Sequence, residues 1–291
     1  MIHELAVLSG KGGTGKTTLT LCLLPYLENM VLADCDVDAP DLHLLLKGQT
    51  KETVPFYGLK KPFIDKNLCT NCGLCTHHCN YGAIDSEQTI HLSSCEGCGV
   101  CQIVCPNKAI HMVDTVIGHI ERKTSAYGPF IDAKLIPGEE ASGKLVAEVR
   151  SQARKEAERS NKTSILIDGS PGIGCNVMST ITGIDQAILV TEPSSSGFHD
   201  LKRIVSLARM VSVEPLIVIN KYTNSLNYTK RIEDYCQEQG LILALKIPYD
   251  KDLFQSINRL EIPSKVGHPF FQGKPWFDFL SKIQVVNIKI M

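Results

Sequence analysis

The sequence lacks any long apolar run and carries almost no net charge. No uninterrupted stretch of about 18 apolar residues occurs, so we expect no transmembrane helix. The 30 Lys and Arg residues and 31 Asp and Glu residues give a net charge of −1 at pH 7. This balance offers no electrostatic reason to bind nucleic acid or an anionic membrane, and neither partner is predicted. The first residues lack the basic-then-apolar pattern of a signal peptide, so no secretory leader is expected.

Cysteine, in contrast, is abundant and regularly spaced. The chain has 291 residues with 43% apolar side chains, enough for one large or two ordinary domains. Eight of its 12 cysteines fall in two runs of the form C-x2-C-x2-C-x3-C. The runs are Cys69, Cys72, Cys75 and Cys79, then Cys95, Cys98, Cys101 and Cys105. Such spacing indicates metal binding rather than disulfides, and cluster thiolates need a reducing compartment, so we predict a cytoplasmic protein.

The two runs resemble those of bacterial ferredoxins that carry two [4Fe–4S] clusters. Residues 68–84 align with residues 94–110 at a shift of 26, and this internal repetition is typical of the ferredoxin fold. The resemblance implies that the fourth cysteine of each run ligates the other cluster. The predicted ligand sets are therefore Cys69, Cys72, Cys75 and Cys105 for cluster 1, and Cys95, Cys98, Cys101 and Cys79 for cluster 2.

Zinc is the alternative metal, because two C-x2-C pairs can form a four-cysteine zinc site. Zinc does not explain four cysteines at 2-2-3 spacing, twice. Asn80 replaces the proline that usually follows the fourth cysteine, and this departure removes no ligand.

A phosphate-binding loop opens the chain. Residues 3–8 form an apolar strand pattern, and residues 9–18 read SGKGGTGKTT. Gly10, Gly15, Lys16 and Thr17 satisfy G-x4-G-K-[ST], the Walker A pattern. Lys16 is predicted to bind the β- and γ-phosphates and Thr17 to ligate Mg²⁺, at the start of a helix predicted over 16–28. The predicted nucleotide-binding residues of the loop are Gly10, Gly12, Gly13, Thr14, Gly15, Lys16, Thr17 and Thr18.

Carboxylates follow two further apolar strand patterns. Residues 30–34 end at Asp34, followed by Asp36 and Asp38 in D-x-D-x-D-x-P. Residues 164–168 end at Asp168, followed by GSPGIG. Ligands of open α/β sheets bind at the carboxyl ends of parallel strands, so these carboxylates are candidates for the same site as the phosphate loop.

Together, G-K-G-G-x-G-K-T, D-x-D-x-D-x-P and the glycine-rich segment after Asp168 resemble the MinD/ParA/nitrogenase-iron-protein class. The resemblance implies that Lys11 reaches the partner's nucleotide in an ATP-dependent homodimer. It implies that Asp36 orients the attacking water. It further implies that Asp34 and Asp168 lie near Mg²⁺, with Asp38 a second candidate for either task. In this class residues 34–40 would be switch I and residues 168–174 switch II, with the Gly172 amide facing the γ-phosphate and Ser170 replacing a proline.

The remaining chain alternates strand and helix patterns. The predicted strands are 187–191, 216–219 and 241–247, and the predicted helices are 197–211, 228–239 and 270–283. Continuous apolar strands between amphipathic helices predict an α/β fold, with a mostly parallel P-loop NTPase sheet and helices on both faces. Asn220 and Pro248 follow two of these strands and resemble the base-binding residues of the class.

The cysteine runs interrupt this α/β fold. We predict a discontinuous P-loop ATPase domain of residues 1–60 and 113–291, and an inserted small α+β ferredoxin-like domain of residues 61–112. Residues 138–145, GEEASGKL, resemble a stretch of MinD/Mrp-family ATPases with such inserts, and Ser142 is expected to cap a helix that ends near 159. Attachment at two points favours functional coupling between the domains.

Four cysteines lie outside the runs. Cys22 and Cys236 are expected to be apolar core residues. Cys35 and Cys175 lie in the switch segments, and Cys175 follows Asp168 by seven residues, as a cluster ligand does in the nitrogenase iron protein. The matching second ligand is missing unless Cys35 or a cysteine of the inserted runs supplies it, so a buried thiol is favoured over a cluster that bridges a dimer. No cysteine follows Cys236, so the C-terminal C-x-x-C of Mrp-type carriers is absent.

These features predict an ATPase whose nucleotide state is coupled to two [4Fe–4S] clusters. Its cofactors would be ATP or ADP, Mg²⁺ and the clusters. Its output would be electron delivery to, or metallocluster assembly on, an unidentified redox or cluster-accepting partner. One alternative is a MinD/ParA-like positioning ATPase with structural clusters, although residues 285–291 look like a strand rather than a basic amphipathic helix. A protein that binds ATP without turnover is the third possibility, if Asp36 does not orient water.

Overall fold

The chain forms two compact units, described in a computed structural model over residues 2–139 and 143–284. The large unit comprises Met1–Thr53, Ile120–Lys134 and Ala141–Met291. The small unit comprises Val54–His119 and Leu135–Glu140. The predicted ferredoxin-like segment, 61–112, falls inside the small unit. Ser142 and the predicted C-terminal strand at 285–291 lie outside the described residues.

The secondary structure alternates along most of the chain. The strands are β1 (His3–Ser9), β2 (Met30–Asp34), β3 (Gln49–Tyr57), β4 (Lys61–Ile64), β5 (Ile110–Val113), β6 (Val116–Ser125), β7 (Gly128–Leu135), β8 (Ser164–Pro171), β9 (Gln186–Thr191), β10 (Pro215–Asn220) and β11 (Ile242–Ile247). The helices are α1 (Lys16–Leu23), α2 (Leu42–Leu46), α3 (Leu74–His77), α4 (Val100–Ile103), α5 (Gly143–Arg159), α6 (Cys175–Ile181), α7 (Ser195–Met210), α8 (Leu226–Glu238), α9 (Lys251–Asn258) and α10 (Lys274–Leu280).

Nine strands form one sheet, in the order β11-β10-β9-β1-β8-β2-β7-β6-β3. The pairs from β11 through β7 are parallel. Strands β1, β2, β8, β9 and β10 are almost wholly buried, which explains their continuous apolar sequences. Because β1, β2 and β8 are parallel neighbours, the phosphate loop and both acidic segments leave the sheet at the same edge. The predicted α/β fold is confirmed.

Side-chain caps start three of the long helices. The hydroxyl of Ser194 accepts from the N–H of Gly197 at the start of α7, and the hydroxyl of Ser225 accepts from Tyr228 at α8. The Asp250 carboxylate accepts from the N–H groups of Asp252 and Leu253 at α9. Each cap satisfies backbone donors that have no partner within the helix, which explains why the helices begin there.

Aromatic side chains fill one part of the large unit's core. Trp276 and Phe279 are fully buried, and Phe271 is 1% exposed. The rings of Phe271 and Trp276 meet edge to face with centroids 4.8 Å apart. The Tyr26 hydroxyl donates to the Phe271 carbonyl at 3.0 Å, which ties the segment after α1 to this aromatic cluster.

Two predicted helices are shorter than expected. The first ends at Leu23 and continues as a 3₁₀ turn over Leu24–Tyr26, because Pro25 has no N–H to continue the α-helical ladder. The helix predicted over 270–283 is broken at Gly273, whose extended backbone separates the 3₁₀ turn Pro269–Gln272 from α10. Strands β3, β6 and β7 and helix α9 were not predicted.

The small unit contains a two-stranded antiparallel sheet, β4 with β5, in which Lys61 pairs with Val113 and Ile64 with Ile110. Its two short helices, α3 and α4, follow Gly73 and Gly99, and both glycines have φ of 75°. Among the described residues, no helix is both long and apolar enough to cross a membrane.

Candidate functional sites

The phosphate loop joins β1 to α1 and depends on close backbone packing. Gly15 has φ of 92°, and a Cβ there would clash with Nδ2 of Asn220. A Cβ at Gly10 would lie 2.7 Å from the carbonyl oxygen of Asp200 on α7. Both positions therefore need glycine. At Gly15 a side chain would face both a left-handed backbone conformation and a clash, whereas at Gly10 it would face a clash alone.

Lys16 lies among carboxylates and is only 6% exposed. Its Nζ lies 3.2 Å from Oδ2 of Asp36 and also 3.2 Å from Oδ2 of Asp168. Burial acts to lower the pKa of Lys16, but the negative charges of Asp168, Asp36 and Asp34 outweigh it, so the pKa is raised. The side chain is therefore held as a cation at the position where a phosphate would approach.

Asp168, at the end of β8, holds two hydroxyls of α1. Its Oδ2 accepts from Thr17 and its Oδ1 from Thr20, each at 2.8 Å. The Thr17 hydroxyl is thereby positioned beside a carboxylate. Together they offer the oxygen ligands that Mg²⁺ prefers.

Asp34 and Asp36 complete the acidic group. Asp34 is fully buried, and its Oδ2 has no hydrogen-bond partner, while its Oδ1 accepts from the N–H of Asp36 at 3.1 Å. Burial, together with the charge of Asp168, raises the pKa of Asp34 well above its usual range. Burial also raises the pKa of Asp36, against the opposing charge of Lys16. The buried Oδ2 atom of Asp34, which has no hydrogen-bond partner, fits a site in which a bound cation balances the negative charge of the carboxylate.

A cavity of about 700 Å³ opens above these residues, a size typical of small-molecule sites. Predicted site residues in its lining are Gly12, Gly13, Thr14, Gly15, Lys16, Thr17, Thr18, Asp36, Asn220 and Pro248. The structure therefore brings together predicted residues from the loop, switch I and the ends of β10 and β11.

Helix α9 lines the same cavity and was missed by the sequence reasoning. Leu253, Phe254 and Ile257 contribute to its wall, and Phe254 is 60% exposed. Leu253 and Ile257 are apolar and four residues apart, shortly after Pro248. This helical spacing was the signal that could have identified the helix.

Asn220 contacts the phosphate loop itself. Its Nδ2 donates to the carbonyl of Thr14 at 2.8 Å, and its Oδ1 accepts from the N–H of Lys221 at 2.9 Å. The Lys221 ammonium donates to the Gly13 carbonyl at 3.1 Å. The segment after β10 therefore supports the loop as well as lining the cavity.

Lys11 is bound within its own subunit. Its Nζ lies 2.6 Å from Oε1 of Glu192 and donates to the hydroxyl of Ser196 at 2.9 Å. The resemblance predicts that this lysine reaches the nucleotide of a second subunit. To bind that nucleotide, Lys11 would have to give up its contact with Glu192.

Switch I contacts both switch II and the start of α6. Nδ2 of Asn176 donates to Oδ2 of Asp38 at 3.1 Å, and the Ser170 hydroxyl donates to the Cys35 carbonyl at 2.6 Å. The N–H of Gly172 donates to the Ser9 carbonyl at 2.8 Å, so in this structure it contacts the start of the phosphate loop.

The four cysteines outside the runs differ in exposure. Cys22, Cys35 and Cys236 are buried as thiols, and burial raises the pKa of Cys22 to about 12 and that of Cys236 to about 11. The buried-thiol interpretation is wrong for Cys175, which is exposed at the start of α6 and lines the cavity. Gly174, whose backbone is extended, directly precedes this first helical residue.

The eight cysteines of the runs form two groups of four. One cavity of the small unit is lined by Cys69, Cys72, Cys75 and Cys105. A second cavity is lined by Cys79, Cys95, Cys98 and Cys101. In each group the fourth cysteine of one run joins three cysteines of the other, and this is the grouping that the ferredoxin resemblance predicts.

The donor chemistry of both groups fits iron–sulfur clusters, which are held by four cysteine thiolates. Among the described residues, three backbone N–H groups donate to these sulfurs, those of Ala83, Gly97 and Ala109. Within 2–139 and 143–284, no three or more His, Cys, Asp or Glu side chains are arranged to hold a single metal ion.

The family model described as "CobQ/CobB/MinD/ParA nucleotide binding domain" matches residues 5–263. An uncharacterized protein of Methanocaldococcus jannaschii is 33% identical over 237 residues, which are 80% of this chain and 83% of that protein. The iron-sulfur cluster carrier protein of the same organism is 22% identical over 265 residues, 85% of this chain and 73% of the carrier.

Two further similarities concern a short stretch of the chain or the fold alone. The pyruvate synthase subunit PorD of Methanothermobacter marburgensis is 48% identical over 52 residues, 18% of this chain and 64% of PorD. The solved structure of the septum site-determining protein MinD from Pyrococcus horikoshii, complexed with Mg-ADP, has a TM-score of 0.56 and 18% identity. That comparison covers 96% of this chain and 93% of the solved chain.

Proposed function

The chain belongs to the CobQ/CobB/MinD/ParA family of nucleotide-binding domains, and we propose that it is an ATPase whose nucleotide state is coupled to two [4Fe–4S] clusters. One observation carries this proposal. The same chain holds a phosphate loop surrounded by three carboxylates and eight cysteines arranged as two groups of four. The first arrangement suits phosphoryl transfer, the second electron storage.

In the nucleotide site, Lys16 would bind the β- and γ-phosphates, since its ammonium is already held at the head of α1. A phosphate oxygen would replace the carboxylates as its contact. Thr17 and Asp168, with Asp34 nearby, would hold Mg²⁺, which when bound neutralises charge on the phosphates. Asn220 would keep the loop in shape through its bond to the Thr14 carbonyl.

Asp36 is the proposed residue for orienting the attacking water. It lines the cavity, and its carboxylate lies 3.2 Å from the Lys16 ammonium, at the position where the γ-phosphate would be bound. Asp38 also lines the cavity but accepts a hydrogen bond from Asn176 instead. This difference favours Asp36 for contact with the reacting phosphate and Asp38 for a structural link between switch I and α6.

ATP binding would also assemble a homodimer through Lys11. In the single subunit Glu192 and Ser196 hold the lysine. Binding of a second subunit's nucleotide would supply phosphate oxygens as stronger partners for the same ammonium, since charge-assisted bonds to phosphate are among the strongest in proteins.

In the small unit the two groups of cysteines would hold the clusters, which supply one-electron chemistry when bound. Cys75 and Cys101 are buried, while Cys72 and Cys98 are exposed. Each group therefore has one side in the interior and one side open to a partner. We propose electron delivery to a partner protein as the output, with metallocluster assembly on a partner as the competing outcome of the test.

A MinD/ParA-like positioning role is the second candidate, favoured by the similarity to solved MinD. That similarity concerns the fold, and one fold supports many functions. In such a protein the clusters would only stabilise the small unit, and their potentials would not respond to ATP.

The proposal is tested by anaerobic purification of the full chain, iron and sulfide analysis, and measurement of ATP hydrolysis. We expect about eight irons per chain and hydrolysis that depends on Mg²⁺. Asp36→Asn should lower hydrolysis by about 100-fold or more while ATP binding persists. Asp38→Asn is the matched control and should retain most activity. Absence of iron, or equal losses in both variants, would contradict the respective part of the proposal.

A further inference from the structure

Glu192 lies between two lysines beside the phosphate loop. It directly follows β9, and its side chain is 23% exposed. Its Oε1 lies 2.6 Å from Nζ of Lys11, and its Oε2 lies 3.7 Å from Nζ of Lys221. Burial acts to raise the pKa of Glu192, but the contact with Lys11 and the charge of Lys221 outweigh it, so the pKa is lowered. The carboxylate is therefore held ionised, with one oxygen toward each lysine.

Two hydroxyl groups at the start of α7 also hold Lys11. Its Nζ donates to Oγ of Ser196 at 2.9 Å and to Oγ of Ser194 at 3.5 Å. The Ser194 hydroxyl donates to Oε1 of Glu192 at 3.4 Å and accepts the N–H of Gly197, which fixes it at the helix start. Of these three partners, only Glu192 carries a charge opposite to that of Lys11, so it is the main restraint on the lysine.

Lys221 has a second contact, with the phosphate loop itself. Its Nζ donates to the carbonyl of Gly13 at 3.1 Å. The distance of 3.7 Å between Lys221 and Glu192 lies within the range of an ion pair but beyond that of a good hydrogen bond. Glu192 therefore has a close partner in Lys11 and a second cation nearby.

Release of Lys11 would leave Glu192 without its close partner. A partly buried charge that loses its partner is destabilised, because neither water nor an opposite charge then fully compensates it. A lysine ammonium stands at the end of a flexible chain, so Lys221 can move the short distance needed to pair with Glu192 directly. The release of Lys11 is therefore opposed by Glu192 and made easier by Lys221.

From this arrangement we propose that Glu192 restrains ATP-dependent dimerisation. It holds Lys11 on its own subunit, and Lys221 becomes its partner when Lys11 moves to the nucleotide of a second subunit. The inference rests on the proposed function in requiring that Lys11 bridge an ATP-bound homodimer. It adds that each subunit carries its own threshold for assembly, because the second subunit's phosphates must bind Lys11 more strongly than the Glu192 carboxylate does.

The experiment measures the dissociation constant of the dimer by sedimentation velocity of the iron-loaded full chain. A non-hydrolysable ATP analogue is present with Mg²⁺ at saturating concentration, so that dimerisation is separated from nucleotide affinity. Homodimers are usually two-fold symmetric, so the exchange of partners occurs twice in each dimer. Loss of one partly exposed ion pair changes an equilibrium by about threefold, and Glu192→Gln should therefore tighten the dimer by about tenfold.

Lys221→Ala tests the second half of the inference. Without Lys221, Glu192 has no cation to pair with after Lys11 leaves, so the dimer should be several-fold weaker than that of the unaltered protein. In the Glu192→Gln background, the same substitution should have no further effect on the dimer. This comparison separates the pairing with Glu192 from the bond of Lys221 to the Gly13 carbonyl, which is present in both backgrounds.

Glu233→Gln is the matched control. Its Oε1 lies 2.8 Å from Nζ of Lys246, its side chain is 27% exposed, and it does not line the nucleotide cavity. Its substitution should leave the dissociation constant of the dimer unchanged.

The inference is overturned if Glu192→Gln weakens the dimer, leaves it unchanged or tightens it no more than Glu233→Gln does. The role of Lys221 is overturned if Lys221→Ala has no effect, or weakens the dimer equally in both backgrounds. An unaltered protein that stays monomeric with the analogue, or a Lys11→Ala variant that still dimerises, would contradict the proposed function instead. The two failures are therefore distinguishable.

Discussion

The two units differ in what fills their interiors. The core of the large unit is built from aliphatic and aromatic side chains, such as Leu5, Phe130 and Trp276, which are at most 1% exposed. The core of the small unit consists of Ile64, Ile84 and Ile110 with Cys75 and Cys101. Partly buried Cys69, Cys79, Cys105 and Ile90 pack against it.

This contrast indicates different sources of stability. Burial of apolar surface gives about 25 cal/mol per Å², so the large unit has ample material for a core. The core of the small unit contains few large apolar side chains, and small domains of this kind usually depend on metals or cross-links. We therefore expect the large unit to fold without iron and the small unit to need it.

Removal of iron should have the largest effect. With the clusters removed by a chelator, amides of β4 and β5 should lose their protection from hydrogen exchange, because metal binding and folding of such a domain are linked. Amides of β1 and β8 should keep their protection. Cys75→Ala should lower the iron content, while the control Cys236→Ala, a buried cysteine of the large unit, should not. Equal protection of β4 before and after iron removal would contradict the contrast between the units.

Trp276→Ala tests the same contrast in the core of the large unit. Loss of this fully buried ring should destabilise the large unit by about 3–5 kcal/mol, measured by urea unfolding, without changing the iron content. Met210→Ala, at a side chain that is 78% exposed, is the control and should change stability by less than about 0.5 kcal/mol. Iron loss in the Trp276 variant would show that the units do not fold separately.

Lys16→Ala should remove catalysis without touching either core. The loss of this ammonium should lower ATP hydrolysis by about 100- to 1000-fold, while the iron content stays the same. Lys155→Ala, on the exposed side of α5, is the matched control and should hydrolyse ATP normally. Retention of more than a tenth of the activity in the Lys16 variant would argue against its assigned role.

Asn220→Ala should have the smallest effect of the four. It removes a hydrogen bond to the Thr14 carbonyl, worth about 1 kcal/mol, so ATP affinity should fall about fivefold. Equilibrium dialysis with ATP measures the change. Asn227→Ala on α8, at an exposed residue that does not line the cavity, is the control. An equal decrease in ATP affinity there would contradict the role of Asn220 in supporting the loop.

Much of the fold and of the candidate sites could be predicted from regular sequence patterns. The parallel sheet follows from the alternation of apolar strands with amphipathic helices, and the site beside two acidic strand ends follows from the phosphate-loop motif and the carboxylates after those strands. The grouping of cysteines across the two runs was implied by the resemblance to ferredoxins. The unpredicted strands β3, β6 and β7 have exposed or mixed burial, so they lack the apolar signal of the central strands. The partnership of Lys11 with Glu192 joins residues 181 positions apart and has no local signature. Cys175 was misjudged because burial depends on the position of a residue in the fold, not on residue type.

We propose that nucleotide binding in the large unit alters the clusters of the small unit. The most direct test of this proposal is the reduction potential of the clusters in the anaerobic full chain, with ADP and with a non-hydrolysable ATP analogue, each with Mg²⁺. We expect the potential to differ between the two nucleotides in the unaltered protein, and the difference to disappear in Lys16→Ala. An identical potential with both nucleotides, in a protein shown to bind them and to carry both clusters, would contradict it.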